Sequence, residues 1–219
     1  MSKILVSGCG ITFSGERPTW SKVLRISGYS VTDVSGPAIS NHLILNQLLQ
    51  KVYEENFDHV ICQLTSFGKL DVELNRENQS LMNNDSLRNF SYNGYWPSSH
   101  STEHKVKRDY EKYLYSPSLD EQDTIFKLLL LQSKCNESNT ELHIIQGYPL
   151  VWKNKLVDRL GIDTKFSIYE MYKNSKFYMD HDYSNNNTVP NKHFQIYFAK
   201  HIAKEYLKEI KPALEKFYE

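Results

Sequence analysis

Short apolar runs alternate with amphipathic stretches along most of this chain. The first run, Lys3 to Ser7, ends at Gly8, and a continuous apolar strand of that kind suits a parallel sheet buried on both faces. After the glycine turn, Trp20, Val23 and Leu24 fall at helical spacing, with Pro18 in the first turn of that helix and Gly28 as its stop. The segment YSVTDVSG supplies a second strand. Ser40 then caps a helix on which Leu43, Ile44, Leu48, Val52 and Tyr53 recur at helical spacing, and HVICQL, residues 59–64, is a third strand. SLDEQDTIFKLLLLQS predicts the next helix, with Ser118 and Glu121 spaced for a capping box. ELHIIQ is the fourth strand, closed by the turn GYP. Residues 150–160 predict a short helix, and FSIYEMY fits either a strand or a helix. Phe194, Phe198, Ile202, Tyr206 and Ile210 recur every four residues, one apolar stripe on a C-terminal helix that is interrupted or kinked near Pro212.

Strands alternating with helices predict a parallel sheet covered on both faces, a flavodoxin-like three-layer α/β/α sandwich formed by one domain over residues 1–219. In such folds the ligand sits beyond the carboxyl ends of the strands. That places Gly8 to Ser14, Ser35 to Asn41, Thr65 to Lys69 and Gly147-Tyr148 on one rim. Residues 74–116 break the alternation with a polar, Asn- and Ser-rich insertion that carries Phe90, Tyr92, Tyr95 and Trp96. Long segments of that composition are often lids, binding loops or interfaces, where rings with a polar handle suit wet surfaces, and the equal alternative is that the rings anchor a long loop to the body. Lys105, Lys107, Arg108 and Lys112 are interleaved with Glu103, Asp109 and Glu111, the pattern of a solvated helix face.

Charge and composition narrow the function classes. Lys plus Arg and Asp plus Glu each number 26, so no net field draws the chain to nucleic acid or to a membrane surface. No apolar run approaches the ~18 residues of a membrane span, and Met1-Ser2-Lys3 leads straight into the first strand, so the expectation is a cytoplasmic protein. Cys9, Cys62 and Cys135 are too few and too scattered for a disulfide framework or a CxxC zinc site, and reduced thiols are expected. Asp180, His181 and Asp182 are adjacent, but no second ligand pair at metal-binding spacing joins them, and a polar loop is the plainer reading. Neither a metal nor a cofactor is expected.

The blocks ILVSGCGITFSG with Trp20, DVSGPAISN, CQLTSFGKLD and NNTVPNKHFQIYFAKHIA stand in the order and spacing of the SGNH/GDSL hydrolase superfamily. The first block resembles most closely a bacterial and phage branch with a G-C-S-F-T turn followed by a tryptophan. That resemblance implies an α/β/α hydrolase fold and a Ser-His-Asp mechanism. It also places the nucleophilic serine on Gly10, the base histidine on Val189, the orienting aspartate on Asn186 and a third-block oxyanion donor on Phe67. Acyl transfer by this route needs a hydroxyl, a base to take its proton and a carboxylate to hold the base. None of the three triad positions carries its reactive group.

Three function classes follow. The first is an SGNH-like protein with an eroded triad that binds a small polar ligand, a sugar or nucleotide derivative, or a protein partner at the former active site. Its binding groups are Gly8, Gly10, Thr12, Gly36, Ser40, Asn41, Thr65 and Ser66, where turn and helix-start amides can face an anion. The second is a working esterase or acyl hydrolase whose substitute groups come from Cys9, Ser14, Asp182 and His193. The plainer readings are a buried apolar thiol for Cys9 and an exposed helix residue for His193. The third is a structural or assembly protein that uses the Tyr-rich insertion as its interface, with self-association left open.

Overall fold

The computed structural model describes residues 2–9, 12, 19–36, 39–67, 71–73, 95–97, 116–178 and 190–218. Gly10, Ser14, Pro18, most of the 74–116 insertion, Asp180 to Asp182, Asn186 and Val189 lie outside the described residues. In chain order the elements are β1 (Lys3–Ser7), α1 (Trp20–Ile26), β2 (Ser30–Asp33), α2 (Asn41–Glu54), β3 (His59–Leu64), β4 (Asp71–Glu73) and β5 (Tyr95–Pro97). Next come α3 (Pro117–Glu137), β6 (Glu141–Gln146), a 3-10 helix (Lys155–Leu160), α4 (Ile168–Lys173), α5 (Lys192–Glu205) and α6 (Pro212–Glu215), then a closing 3-10 turn at Lys216–Tyr218.

The main sheet has the order β2-β1-β3-β6 and is parallel throughout. Its two central strands explain the unbroken apolar runs: every residue of β1 after Lys3 and every residue of β3 after His59 is buried, because both faces are covered. Leu5, Val60, Cys62 and Leu64 pack with Leu43, Leu48, Ile125 and Leu128 of α2 and α3. Ile4, Val6, Ile61 and Ile145 pack on the other face with Trp20 and Leu24 of α1 and Phe194, Phe198 and Ile202 of α5. This is the expected three-layer α/β/α sandwich. Trp20 meets Phe198 edge-on at 5.7 Å, and Phe194 stacks on Phe198 at 6.0 Å. Burying each such ring contributes about 2–3 kcal/mol. No helix among the described residues is long and apolar enough to cross a membrane.

Local chemistry sets the element ends. Thr19 caps α1, so the helix begins after Pro18. Gly28, at φ 91°, closes it as a Schellman turn: its N–H donates to the Arg25 carbonyl and that of Tyr29 to the Leu24 carbonyl. Asn139, at φ 52°, ends α3 in the same way, with Thr140 N–H on the Cys135 carbonyl at 2.8 Å. The Ser40 hydroxyl accepts from Leu43 N–H, as the sequence predicts for an N-cap.

Several expectations are changed or resolved. The Ser118–Glu121 capping box does not form: α3 starts earlier, at Pro117, and Ser116 occupies the N-cap without a side-chain bond. Glu121 is buried and turns to the 3-10 segment instead, accepting the Lys153 and Asn154 N–H groups at 2.6 and 2.7 Å. The C-terminal apolar stripe ends with the helix at Glu205, and Ile210 is 39% exposed beyond it. Of the two alternatives near Pro212, interruption is what occurs: Pro212 opens a new short helix, where its missing N–H costs nothing at a first position. The ambiguous FSIYEMY resolves as α4, capped by the Ser167 hydroxyl on Glu170 N–H. Within the insertion, Tyr95–Pro97 pairs antiparallel with Asp71–Glu73 as a separate ribbon.

Candidate functional site

The carboxyl ends of β1, β3 and β6 converge on one buried side chain, Gln63. It is the fifth residue of β3, an amide in an otherwise apolar strand, and it is fully buried. A Cβ on Gly8 would lie 2.8 Å from the Gln63 Cβ and 2.6 Å from the Thr12 hydroxyl, and a Cβ on Gly147 would lie 2.6 Å from the Gln63 amide nitrogen. The two glycines of the rim are therefore the space that Gln63 occupies. Its carboxamide oxygen accepts the Thr12 hydroxyl proton in a short hydrogen bond, and Thr12 N–H donates to the Cys9 carbonyl at 2.8 Å, closing the first-block turn.

Cys9 completes the same network. Its thiol is 1% exposed, donates to the Thr65 hydroxyl at 3.1 Å, and receives the Gln63 amide at 3.6 Å. Asn41 brackets Thr65 with its carboxamide, accepting the Thr65 N–H at 2.7 Å and donating to its carbonyl at 3.0 Å. The first turn of α2 is thereby fastened to the end of β3. Burial pushes the Cys62 thiol up, with the Cys135 sulfur adding to it, and burial pushes Cys135 up to about 11. All three cysteines are buried free thiols.

On the β2 side, the Gly36 N–H donates to the Gly8 carbonyl at 3.1 Å. Asp33 accepts the Ser21 hydroxyl in a short bond and the Ser35 N–H at 2.9 Å. The Ser35 hydroxyl is buried and has no hydrogen-bond partner among the described residues. A buried hydroxyl left without a partner costs about 1–3 kcal/mol, so among the described residues of this rim Ser35 has hydrogen-bonding capacity to spare. Ser66 is exposed just beyond Thr65.

The structure thus gathers Gly8, Cys9, Thr12, Asn41 and Thr65 into one polar cluster, with Gly36 bonded to Gly8 beside it. His193 is exposed on the first turn of α5, its ring stacked on Phe177 at 6.4 Å. The neighbouring Asn191 is the N-cap of α5, accepting Phe194 N–H at 3.0 Å and donating to the Phe177 carbonyl. Phe67, where the resemblance places an oxyanion donor, turns its ring edge to Trp152 at 5.2 Å.

Two residues of the site were overlooked in the sequence pattern. Gln63 and Gln146 each sit at the carboxyl end of an apolar strand run, and both are buried. Gln146 donates to the Asp163 and Phe166 carbonyls at 2.8 and 3.1 Å and accepts Leu150 N–H and the Trp152 indole N–H at 3.2 Å each. All four valences of that amide are spent on the loops after β6. The signal was present, since an amide in a doubly buried strand demands partners.

No family model matches the sequence, and no curated protein matches it. Among solved structures, the psychrotrophic esterase EstA from Pseudoalteromonas sp., inhibited by monoethylphosphonate, superposes with a TM-score of 0.52 at 12% identity, over 95% of this chain and 98% of that chain. This chain shares its fold with an esterase. TesA matches with a TM-score of 0.49 at 14% identity, over 92% of this chain and 96% of that one. The salicylyl-acyltransferase SsfX3 of a tetracycline biosynthetic pathway matches with a TM-score of 0.36 at 13% identity, over 95% of this chain and 55% of that one. At 12% identity to EstA what is shown in common is the path of the backbone.

Proposed function

We propose that the chain is an SGNH/GDSL-type protein whose hydrolytic triad is eroded and whose carboxyl-end rim binds a small polar ligand, a sugar or nucleotide derivative. The observation that carries this reading is the Cys9 thiol, 1% exposed and committed to Thr65 inside a satisfied polar cluster. A nucleophile must reach both its base and the substrate. Cys9 is buried with its thiol hydrogen-bonded to Thr65, and His193 is exposed on α5 with its ring stacked on Phe177. The unpartnered Ser35 hydroxyl and the exposed Ser66 offer polar contacts suited to holding a ligand.

The shared fold with EstA favours a second reading, an ester hydrolase that draws on Ser14 or Asp182 together with His193. One experiment separates the two. The purified chain is assayed with p-nitrophenyl acetate and screened by thermal shift against simple sugars and nucleoside monophosphates. A binding protein gives no turnover above buffer. A ligand at about a hundred times its Kd adds about 2.7 kcal/mol, a rise of about 5–10 °C for a chain of this size. Turnover that vanishes in His193→Ala or Asp182→Ala overturns the binding reading in favour of the hydrolase.

A further inference from the structure

The amino ends of β3 and β6, at the opposite end of the sheet from the rim, bring together three metal-ligating side chains. His59 opens β3, and Glu141 and His143 are the first and third residues of β6. The parallel register pairs His59 with Glu141 and Ile61 with His143. Side chains alternate along a strand, so His59, Glu141 and His143 share one face of the sheet. The His59 Nδ1 lies 3.4 Å from the His143 Nε2 and 3.4 Å from a Glu141 carboxylate oxygen, and that oxygen lies 3.7 Å from the His143 Nε2.

We propose that His59, Glu141 and His143 form a binding site for a borderline divalent cation of the Zn2+ class. A tetrahedral ion with bonds of about 2.0–2.1 Å separates its ligand atoms by about 3.3–3.4 Å, within a few tenths of an ångström of the three separations here. The rival arrangement, direct hydrogen bonds among the three groups, prefers ~2.9–3.0 Å and weakens beyond it. The triangle is wider than the best geometry of such bonds and sized for a shared ion. Two imidazole nitrogens and one carboxylate oxygen select zinc and its neighbours over magnesium or calcium, which take oxygen alone.

The surroundings pre-position the ligands. The two imidazoles are 13% and 15% exposed and stack at 5.6 Å, while the Tyr206 ring meets His143 edge-on at 5.1 Å. Glu141 is 65% exposed, which leaves an entry path and a fourth corner for water. Lys208 carries a positive charge close enough to act on His143, and it opposes a bound cation.

The test is a Zn2+ titration of the EDTA-treated, dialysed chain against a chromophoric chelator, with thermal unfolding followed in parallel. One Zn2+ per chain, with a rise in Tm, is expected. Glu141→Gln weakens binding by at least about 10-fold, and His59→Gln and His143→Gln weaken it by about 100-fold or more. Glu141 is exposed, so its variant keeps the metal-free Tm and its loss of binding is not a folding defect. Co2+ in the same chain gives the intense visible bands of a four-coordinate ion, and these disappear in His143→Gln. Absence of saturable Zn2+ binding in the wild-type chain, or binding left unchanged by Glu141→Gln, His59→Gln and His143→Gln, overturns the proposal.

Discussion

At the scale of single residues, the rim is organised by what has no side chain. Gly8 and Gly147 face Gln63 from β1 and from the end of β6, and each would place a Cβ well inside contact distance. At Gly147 the obstruction includes the Leu64 backbone carbonyl at 2.9 Å, which no rotamer change relieves. Gly147→Ala should therefore lower stability by about 1–3 kcal/mol, read as a lower urea midpoint at unchanged slope. Gly161 is the control: it has φ 64° but nothing within 4 Å of its Cβ position, so Gly161→Ala carries only the conformational cost of about 1 kcal/mol. Equal losses at the two sites would show that packing on Gln63 is not what keeps Gly147.

Between elements, single polar side chains join helices to loops that the sheet does not hold. Glu121 of α3 receives two backbone N–H groups from the segment before the 3-10 helix, and it is 5% exposed. Removing it leaves both donors without their shared acceptor, the Glu121 Oε1, and bonds to a charged acceptor contribute about 1.5–3 kcal/mol. Glu121→Ala should cost about 2–4 kcal/mol in chemical unfolding, and Glu121→Gln, whose oxygen can accept both bonds but carries no charge, about half of that. The helix was legible from its apolar spacing and the role of Glu121 was not, because capping-box spacing describes a helix start and this helix starts at Pro117. The long C-terminal stripe was legible in the same way up to Ile202, while the end of α5 depended on Lys208 at φ 53°. Nothing in a lysine announces a left-handed turn.

For the whole molecule, the acid limb of stability carries a named contributor. His201 lies between the Phe166 and Phe198 rings, at 5.9 Å from each, and burial holds its imidazole below its ordinary value. The unfolded chain therefore binds a proton at this position more readily than the folded one. Its contribution to stability is present above the ordinary histidine value of about 6.5 and is lost as pH falls below it. Unfolding free energy, measured with EDTA present, should decline on acidification from pH 7 to pH 5, and His201→Phe should flatten that decline. A slope unchanged in His201→Phe would assign the effect to other groups.

The alternation of the four sheet strands with the main helices, and a parallel sheet covered on both faces, were written in the spacing of apolar residues. Burial on one face or two imposes a periodicity that a single sequence displays. What only the tertiary structure decided was which polar groups meet. Gln63 with Gly8 and Gly147, Cys9 with Thr65 and Asn41, and His59 with Glu141 and His143 are brought together across strands whose register the sequence does not display. Hydrogen bonds and metal coordination act over about 2–3 Å, and distances that short are set by register and packing rather than by periodicity.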